Sequence, residues 1–138
     1  MMKQKGLTLV ELMVVVAVMA IIAAIAYPLY TNQTQKTRRA DAKVALESVA
    51  MAQERFYSIN GQYTGNLASL QVSSELRNNS KSDQGYYDVS IGGLGADNQA
   101  FTVTAVADSG AAQANDSDCP QFTLNHQGVK DATNTKCW

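Results

Sequence analysis

From Leu7 to Ala26 the chain is apolar except at Thr8 and Glu11. Twenty residues of helix at about 1.5 Å each span roughly 30 Å, the hydrocarbon thickness of a bilayer. Beyond Pro28 the apolar residues retreat to one face. Ala45, Val49, Ala52, Phe56 and Ile59 recur at i, i+4, i+7, i+11 and i+14, while Lys43, Glu47, Glu54 and Arg55 decorate other faces. Asn60-Gly61 is a helix stop, with Gly61 suited to the left-handed position after the last turn. The pattern predicts one long helix over 7–60, about 80 Å if unbroken, apolar in its first half and amphipathic in its second. Pro28 lacks a backbone donor and crowds the preceding turn, so it is expected to bend or loosen that helix.

Residues 61–84 read as a loop with weak elements, because Gly61, Gly65, Asn78-Asn79-Ser80 and Ser82-Asp83-Gln84-Gly85 are turn material. Strand patterns follow. Tyr87, Val89 and Ile91 alternate with Asp88 and Ser90; Phe101, Val103 and Ala105 alternate with Thr102 and Thr104; Phe122 and Leu124 flank Thr123. Gly92-Gly93-Leu94-Gly95 opens the first hairpin loop, and Asn125-His126-Gln127-Gly128 fits a tight turn before a short strand at Val129-Lys130. The fold class expected is α+β: a long N-terminal helix whose stripe packs on a small antiparallel sheet. There is no internal repeat.

Glu11 is the residue that constrains function. A charge inside hydrocarbon costs on the order of 3 kcal/mol at the helix centre and less near an interface, so its presence asks for a partner. Three readings compete. A secretory signal would be removed after Ala24-Ile25-Ala26, a small-x-small site, but the run is long for a signal core and contains Glu11. A plain membrane anchor leaves Glu11 without a purpose. In the third reading the cut falls after Gly6, and the apolar helix survives.

Lys5-Gly6-Leu7-Thr8-Leu9-Val10-Glu11-Leu12, behind a short basic leader, resembles the class III signal of type IV pilins and pseudopilins. The resemblance implies that a prepilin peptidase cleaves after Gly6 and methylates the new amine of Leu7. Glu11 then stands at the family's glutamate position, and Pro28 where many pilins have a kinking proline. Leu7 departs from the usual phenylalanine, but it keeps the apolar character. The motif covers about a fifth of the chain. Cys119-Pro-Gln-Phe-Thr-Leu-Asn-His-Gln-Gly-Val-Lys130, ending in Cys137-Trp138, is similar to the tail of minor pilins that close with Cys-Trp. Arg38-Arg39-Ala40-Asp41-Ala42-Lys43 and Gln53-Glu54-Arg55-Phe56-Tyr57 fit that group too.

The resemblance implies the type IV pilin fold and three segments: a leader over 1–6, a membrane and filament-core helix over 7–30, and a globular domain over 31–138. The partners it implies are the prepilin peptidase, other pilin subunits, the membrane and the inner-membrane assembly machinery. The product is expected in the inner membrane with its C-terminal domain periplasmic, and then in an extracellular pilus. Cleavage creates a positive amine at Leu7. Its attraction to Glu11 in low dielectric is far stronger than in water, although desolvation offsets much of it. Between staggered helices, Glu11 of one subunit would pair with the amine of its neighbour and fix axial register, as one buried polar residue does in a coiled coil. A minor pilin is the reading this favours. A type II secretion pseudopilin and a DNA-binding pilin acting as receptor in natural transformation are the alternatives.

The 138 residues amount to one domain's worth, and the part outside the apolar run is roughly 110 residues. Losing residues 1–6 takes away Lys3 and Lys5 and moves the side-chain balance from −1 to −3, so nucleic acid has no general attraction for the product. Arg77, Lys81, Lys130 and Lys136 are the cations a DNA surface would draw on, with Tyr86 or Trp138 nearby; the plainer reading is solvated side chains. The even pair Cys119 and Cys137 reads as a disulfide in an exported chain. No catalytic constellation is present: His126, the one histidine, sits in a predicted turn. No cofactor is expected. Asp116 and Asp118 could ligate calcium, but Asn115-Asp116-Ser117-Asp118 lacks a full loop of ligands. Two cysteines and one histidine fall short of a structural zinc set.

Overall fold

A computed structural model of the protein describes residues 8–138. The chain divides into two units, Met1–Thr34 and Gln35–Trp138. One helix, α1, runs over Leu9–Asn60 and includes Pro28, which has no amide to donate to the preceding turn. Around it, Thr31 and Thr34 donate their hydroxyls to the carbonyls of Pro28 and Tyr30, at 3.0 and 2.8 Å. Thr8 starts the helix: its Oγ1 accepts from the Glu11 amide at 3.3 Å and its carbonyl from the Leu12 amide at 3.2 Å.

In the second unit α1 buries Ala42, Ala45, Leu46, Val49, Ala52 and Gln53. Three of these are alanines, which let the sheet approach the helix closely. The stripe expected from periodicity is right at Ala45, Val49 and Ala52, but Phe56 is only half-buried and Ile59 is 81% exposed. Apolar cover ends one turn before the helix does. Gln53 takes the vacated role: its Nε2 donates to the Thr64 carbonyl and its Oε1 accepts from the Thr64 amide at 3.1 Å, stapling the returning loop. That buried polar group is fully used, which is how it avoids a desolvation cost.

Four strands form an antiparallel sheet in the order β1 (Tyr87–Gly92), β2 (Thr102–Ala107), β3 (Gln121–Asn125) and β4 (Lys130–Ala132). Alternation decides the inner face: Tyr87, Val89, Val103, Ala105, Phe122 and Leu124 are buried, with Phe101 just ahead of β2. Tyr87 pairs with Ala107, Val103 with Leu124 and Phe122 with Ala132. Gly128, at φ 76°, closes the β3–β4 turn, where its amide donates to the Asn125 carbonyl at 2.9 Å. The last strand starts one residue later than the sequence pattern suggests.

The stretch expected to be a loop with weak elements holds a short helix, α2 (Ser74–Asn79). Ser73 caps it and Ser80, at φ 56°, ends it in the left-handed region. Its one buried side chain is Leu76, too little to give a period. Further 3-10 turns lie at Leu67–Ser69, Ala96–Asn98 and Ala112–Asn115. Cys119 and Cys137 are bonded, with Cα atoms 5.7 Å apart, and both are buried. The bond ties the start of β3 to the C-terminal tail, and closing a loop of this size contributes about 3 kcal/mol in the chain-entropy model.

Candidate assembly segment and cationic surface

The first unit offers nothing inward. Every large apolar side chain from Leu9 to Tyr30 is at least half exposed, and an 18-residue window of α1 has a mean hydropathy of 2.9 with none of it buried. Such a helix is long and apolar enough to cross a membrane. Glu11 lies in its first turn, where a carboxylate is favoured by the helix dipole. Thr8 and Glu11 have the spacing of a capping box, of which the bond from the Glu11 amide to Thr8 Oγ1 is made. The expected processing residues Gly6 and Leu7 lie outside the described residues. Pro28 sits inside continuous helix.

In the second unit the four cations singled out for DNA fall at two edges of the sheet. Lys81 bridges to β1, at one edge; Lys130 belongs to β4, at the other. Lys81 donates to both Asp88 and Asp108 at 2.7 Å. The hydrogen bonds to Asp108 and Asp88 raise the Lys81 pKa, and the Lys81 ammonium with the Gly110 amide holds Asp108 below the usual carboxylate range. Lys81 is thus a clasp between strand ends, already satisfied. Arg77 is exposed at the end of α2, with no side-chain partner among the described residues. These two do not join Lys130 and Lys136, because the sheet separates them.

The β4 edge gathers a different set. Lys130 Nζ stands 4.7 Å from the Trp138 ring centroid and Lys43 Nζ, from α1, 5.8 Å from the same centroid. Lys136 is exposed two residues before Trp138, and Lys36 is exposed two helical turns before Lys43 on the same flank of α1. The ring is held from beneath by Phe122, edge-on at 5.8 Å, and its Nε1 donates to the Asp131 carbonyl at 2.7 Å. Glu47, one turn beyond Lys43, accepts from Lys130 at 2.8 Å. Lys43 was legible only as helix decoration, since its neighbourhood to residues 130–138 is created by the fold.

Arg39 fixes the loop ahead of the disulfide. Its Nε and Nη2 reach the two oxygens of Asp116 at 2.6 and 2.7 Å, with side chains 12% and 1% exposed. Gln113 Nε2 adds 2.7 Å to Asp116, and the Cys119 amide adds 3.3 Å. Burial pushes the Asp116 carboxyl up, but the Arg39 guanidinium and nearby amides outweigh it and hold the group below its ordinary value. Asp116, considered above as a calcium ligand, is turned to Arg39, while Asp118 is 80% exposed. The described residues hold no group of three or more His, Cys, Asp or Glu placed for a metal.

Comparison with known proteins agrees with these features. Residues 1–27 match a model of the prokaryotic N-terminal methylation motif. Residues 28–123 match the family described as type IV minor pilin ComP, DNA uptake sequence receptor. A type IV pilin from Shewanella oneidensis shares 32% identity at a TM-score of 0.52, over 75% of this chain and 97% of that one. The Neisseria meningitidis non-core minor pilin PilV is 21% identical at a TM-score of 0.52, over 75% and 90%, a likeness of fold. No curated protein matches. Leader motif, long helix, four-stranded sheet and C-terminal disulfide converge on one structural class, and the chain belongs to the type IV minor pilin family.

Proposed function

We propose that the chain is a minor subunit of a type IV pilus. A prepilin peptidase removes residues 1–6 and methylates Leu7. The apolar helix, proposed to span 7–30, holds the product in the inner membrane with residues 31–138 in the periplasm. Assembly machinery then draws it into a filament whose core is made of such helices. The observation that carries this reading is an apolar half-helix with no cover of its own, joined to one acid at Glu11. In a bundle of copies, the Leu7 amine of one subunit and Glu11 of the next compensate each other; a charge left alone there is costly. Fractionation tests it: Glu11→Ala should remain membrane-bound and leave sheared filaments, whereas normal incorporation would refute the role of Glu11.

A second reading adds DNA binding to the same subunit. Two things favour it: the family's description as a DNA uptake sequence receptor, and the placing of Lys43 and Lys130 at Trp138 in a chain of net negative charge. Phosphate contacts would supply most of the affinity and make it strongly salt-dependent. Retention of duplex DNA by the full-length protein at low ionic strength, released by salt, is the expected result; no retention would dismiss this reading. Trace abundance in sheared filaments supports a minor role in the pilus, and release with a secretion apparatus instead would favour a pseudopilin.

A further inference from the structure

The matched family segment ends at residue 123, so that likeness assigns nothing to Lys130 or Trp138. Both have a geometry that asks for an explanation. Two ammonium groups 87 positions apart in sequence both stand against one indole, at 5.8 and 4.7 Å from its centroid. The negative π faces of the ring attract both cations and tie them to one residue. The indole is fixed by Phe122, by the Asp131 carbonyl and by the disulfide one residue before it. We propose that Trp138 is the positioning residue of a phosphodiester-binding cluster, holding Lys43 and Lys130 as a pair, and that Glu47 is the resident counter-ion DNA displaces from Lys130. This rests on the DNA-binding reading given above.

The roles follow from exposure and charge. Lys130 and Glu47 are 46% and 51% exposed, and ion pairs in such surroundings are weak and exchangeable. Among the described residues, the ion-pair partner that a phosphate arriving at Lys130 would displace is Glu47, on α1 one turn from Lys43. Trp138 is already covered by two ammonium groups, so its part is to place charge rather than to stack a base. Glu47 therefore masks the site in the absence of DNA and lowers its affinity for other anions. Lys136, on the tail that the disulfide anchors, and Lys36, two turns away on α1, extend the same flank.

Trp138 is the only tryptophan in the sequence, so its fluorescence reports on the site directly. The processed full chain, in nanodiscs of neutral phosphatidylcholine, is titrated with labelled mixed-sequence duplex DNA across a KCl series. DNA anisotropy and Trp138 emission are read together. Wild type should bind with an emission change. Glu47→Gln should bind about threefold tighter at low salt. Lys130→Gln should bind about tenfold weaker, with a salt slope smaller by about one. Trp138→Phe, which keeps a ring, should stay within about twofold of wild type. Trp138→Leu, which keeps the packing on Phe122 without the quadrupole, should be about fivefold weaker at an unchanged melting temperature.

DNA binding by wild type with no effect of Glu47→Gln and Lys130→Gln would overturn the inference and leave the DNA reading intact, with the site elsewhere. Equal weakening by Trp138→Phe and Trp138→Leu would overturn the positioning role. No binding by any form at the lowest salt removes both the DNA reading and the inference. An emission change with soluble short-chain phosphatidylglycerol at concentrations where DNA gives none would overturn it in favour of a lipid surface.

Discussion

The two halves of α1 are built on opposite principles. From Leu9 to Tyr30 the large apolar side chains are 51–75% exposed; Ala42, Ala45, Leu46 and Val49 are 0–4% exposed. Backbone hydrogen bonding is helical in both. The difference is in the polar residues around the helix and in what lies alongside. Small residues at 42, 45 and 52 allow a sheet to close on one face, and polar residues finish the others. In the first half Val, Ile, Leu, Met and Ala occupy every face, so no polar face is left to turn to water. The first half is therefore written for surroundings outside its own chain, first lipid and then other copies in the proposed filament. The second half is written for the fold it belongs to.

Substitutions should separate these two economies. The largest effect is expected at Glu11→Ala. Breaking a buried charge pair costs about 3 kcal/mol or more, roughly a hundredfold in incorporation. Immunoblots of sheared filaments against membranes measure it, and the melting of the globular domain should not move. Arg39→Gln or Asp116→Asn should do the reverse. Each leaves a buried partner uncompensated, at about 3 kcal/mol, which lowers the melting temperature by about 15 °C without changing membrane partitioning. Replacing Cys119 and Cys137 together by Ser should cost a similar amount, about 3 kcal/mol, visible as a shifted denaturant midpoint at unchanged helix content.

Acid and alkali should each lower the stability of the second unit. Asp116 and Asp108 have depressed pKa values, so their stabilisation is complete above about pH 4, the unfolded carboxylate value, and is lost as pH falls through the folded values. Lys81 is raised by its two carboxylates, and its contribution is present below about pH 10.4 and lost above it. Burial is the main cause that lifts the Tyr87 phenol to about 12, which adds a further loss as pH rises past about 10. Melting curves from pH 2 to 11 should fall at both ends, and Asp116→Asn should flatten the acid limb. The smallest effect belongs to Ile59→Ser. Ile59 is 81% exposed despite its place in the stripe, so stability should change by no more than about 0.5 kcal/mol.

Local patterns made much of this fold legible. The apolar run, the alternation in three strands and the Asn125–Gly128 turn each depend on residues close in sequence, and each appears where its pattern put it. What escaped depends on distant partners. Ile59 was drawn as core because periodicity says nothing about where the sheet ends. Gln53 lies outside the apolar stripe, yet it is fully buried because Thr64 returns to meet both of its amide atoms. α2 has six residues and one buried side chain, too few for a period. For the cationic surface the same limit applies. Charge type was visible at Lys81 and Lys130, but which is clasped by two carboxylates and which shares an indole with Lys43 is a product of tertiary folding.

The central claim is that the uncovered half-helix is kept in the mature subunit and builds polymer. Mass spectrometry of this protein taken from sheared filaments addresses it most directly. The account predicts an N-terminal peptide beginning at N-methylated Leu7 and containing Glu11. A mature chain beginning at Tyr27, with the apolar segment gone, would contradict it.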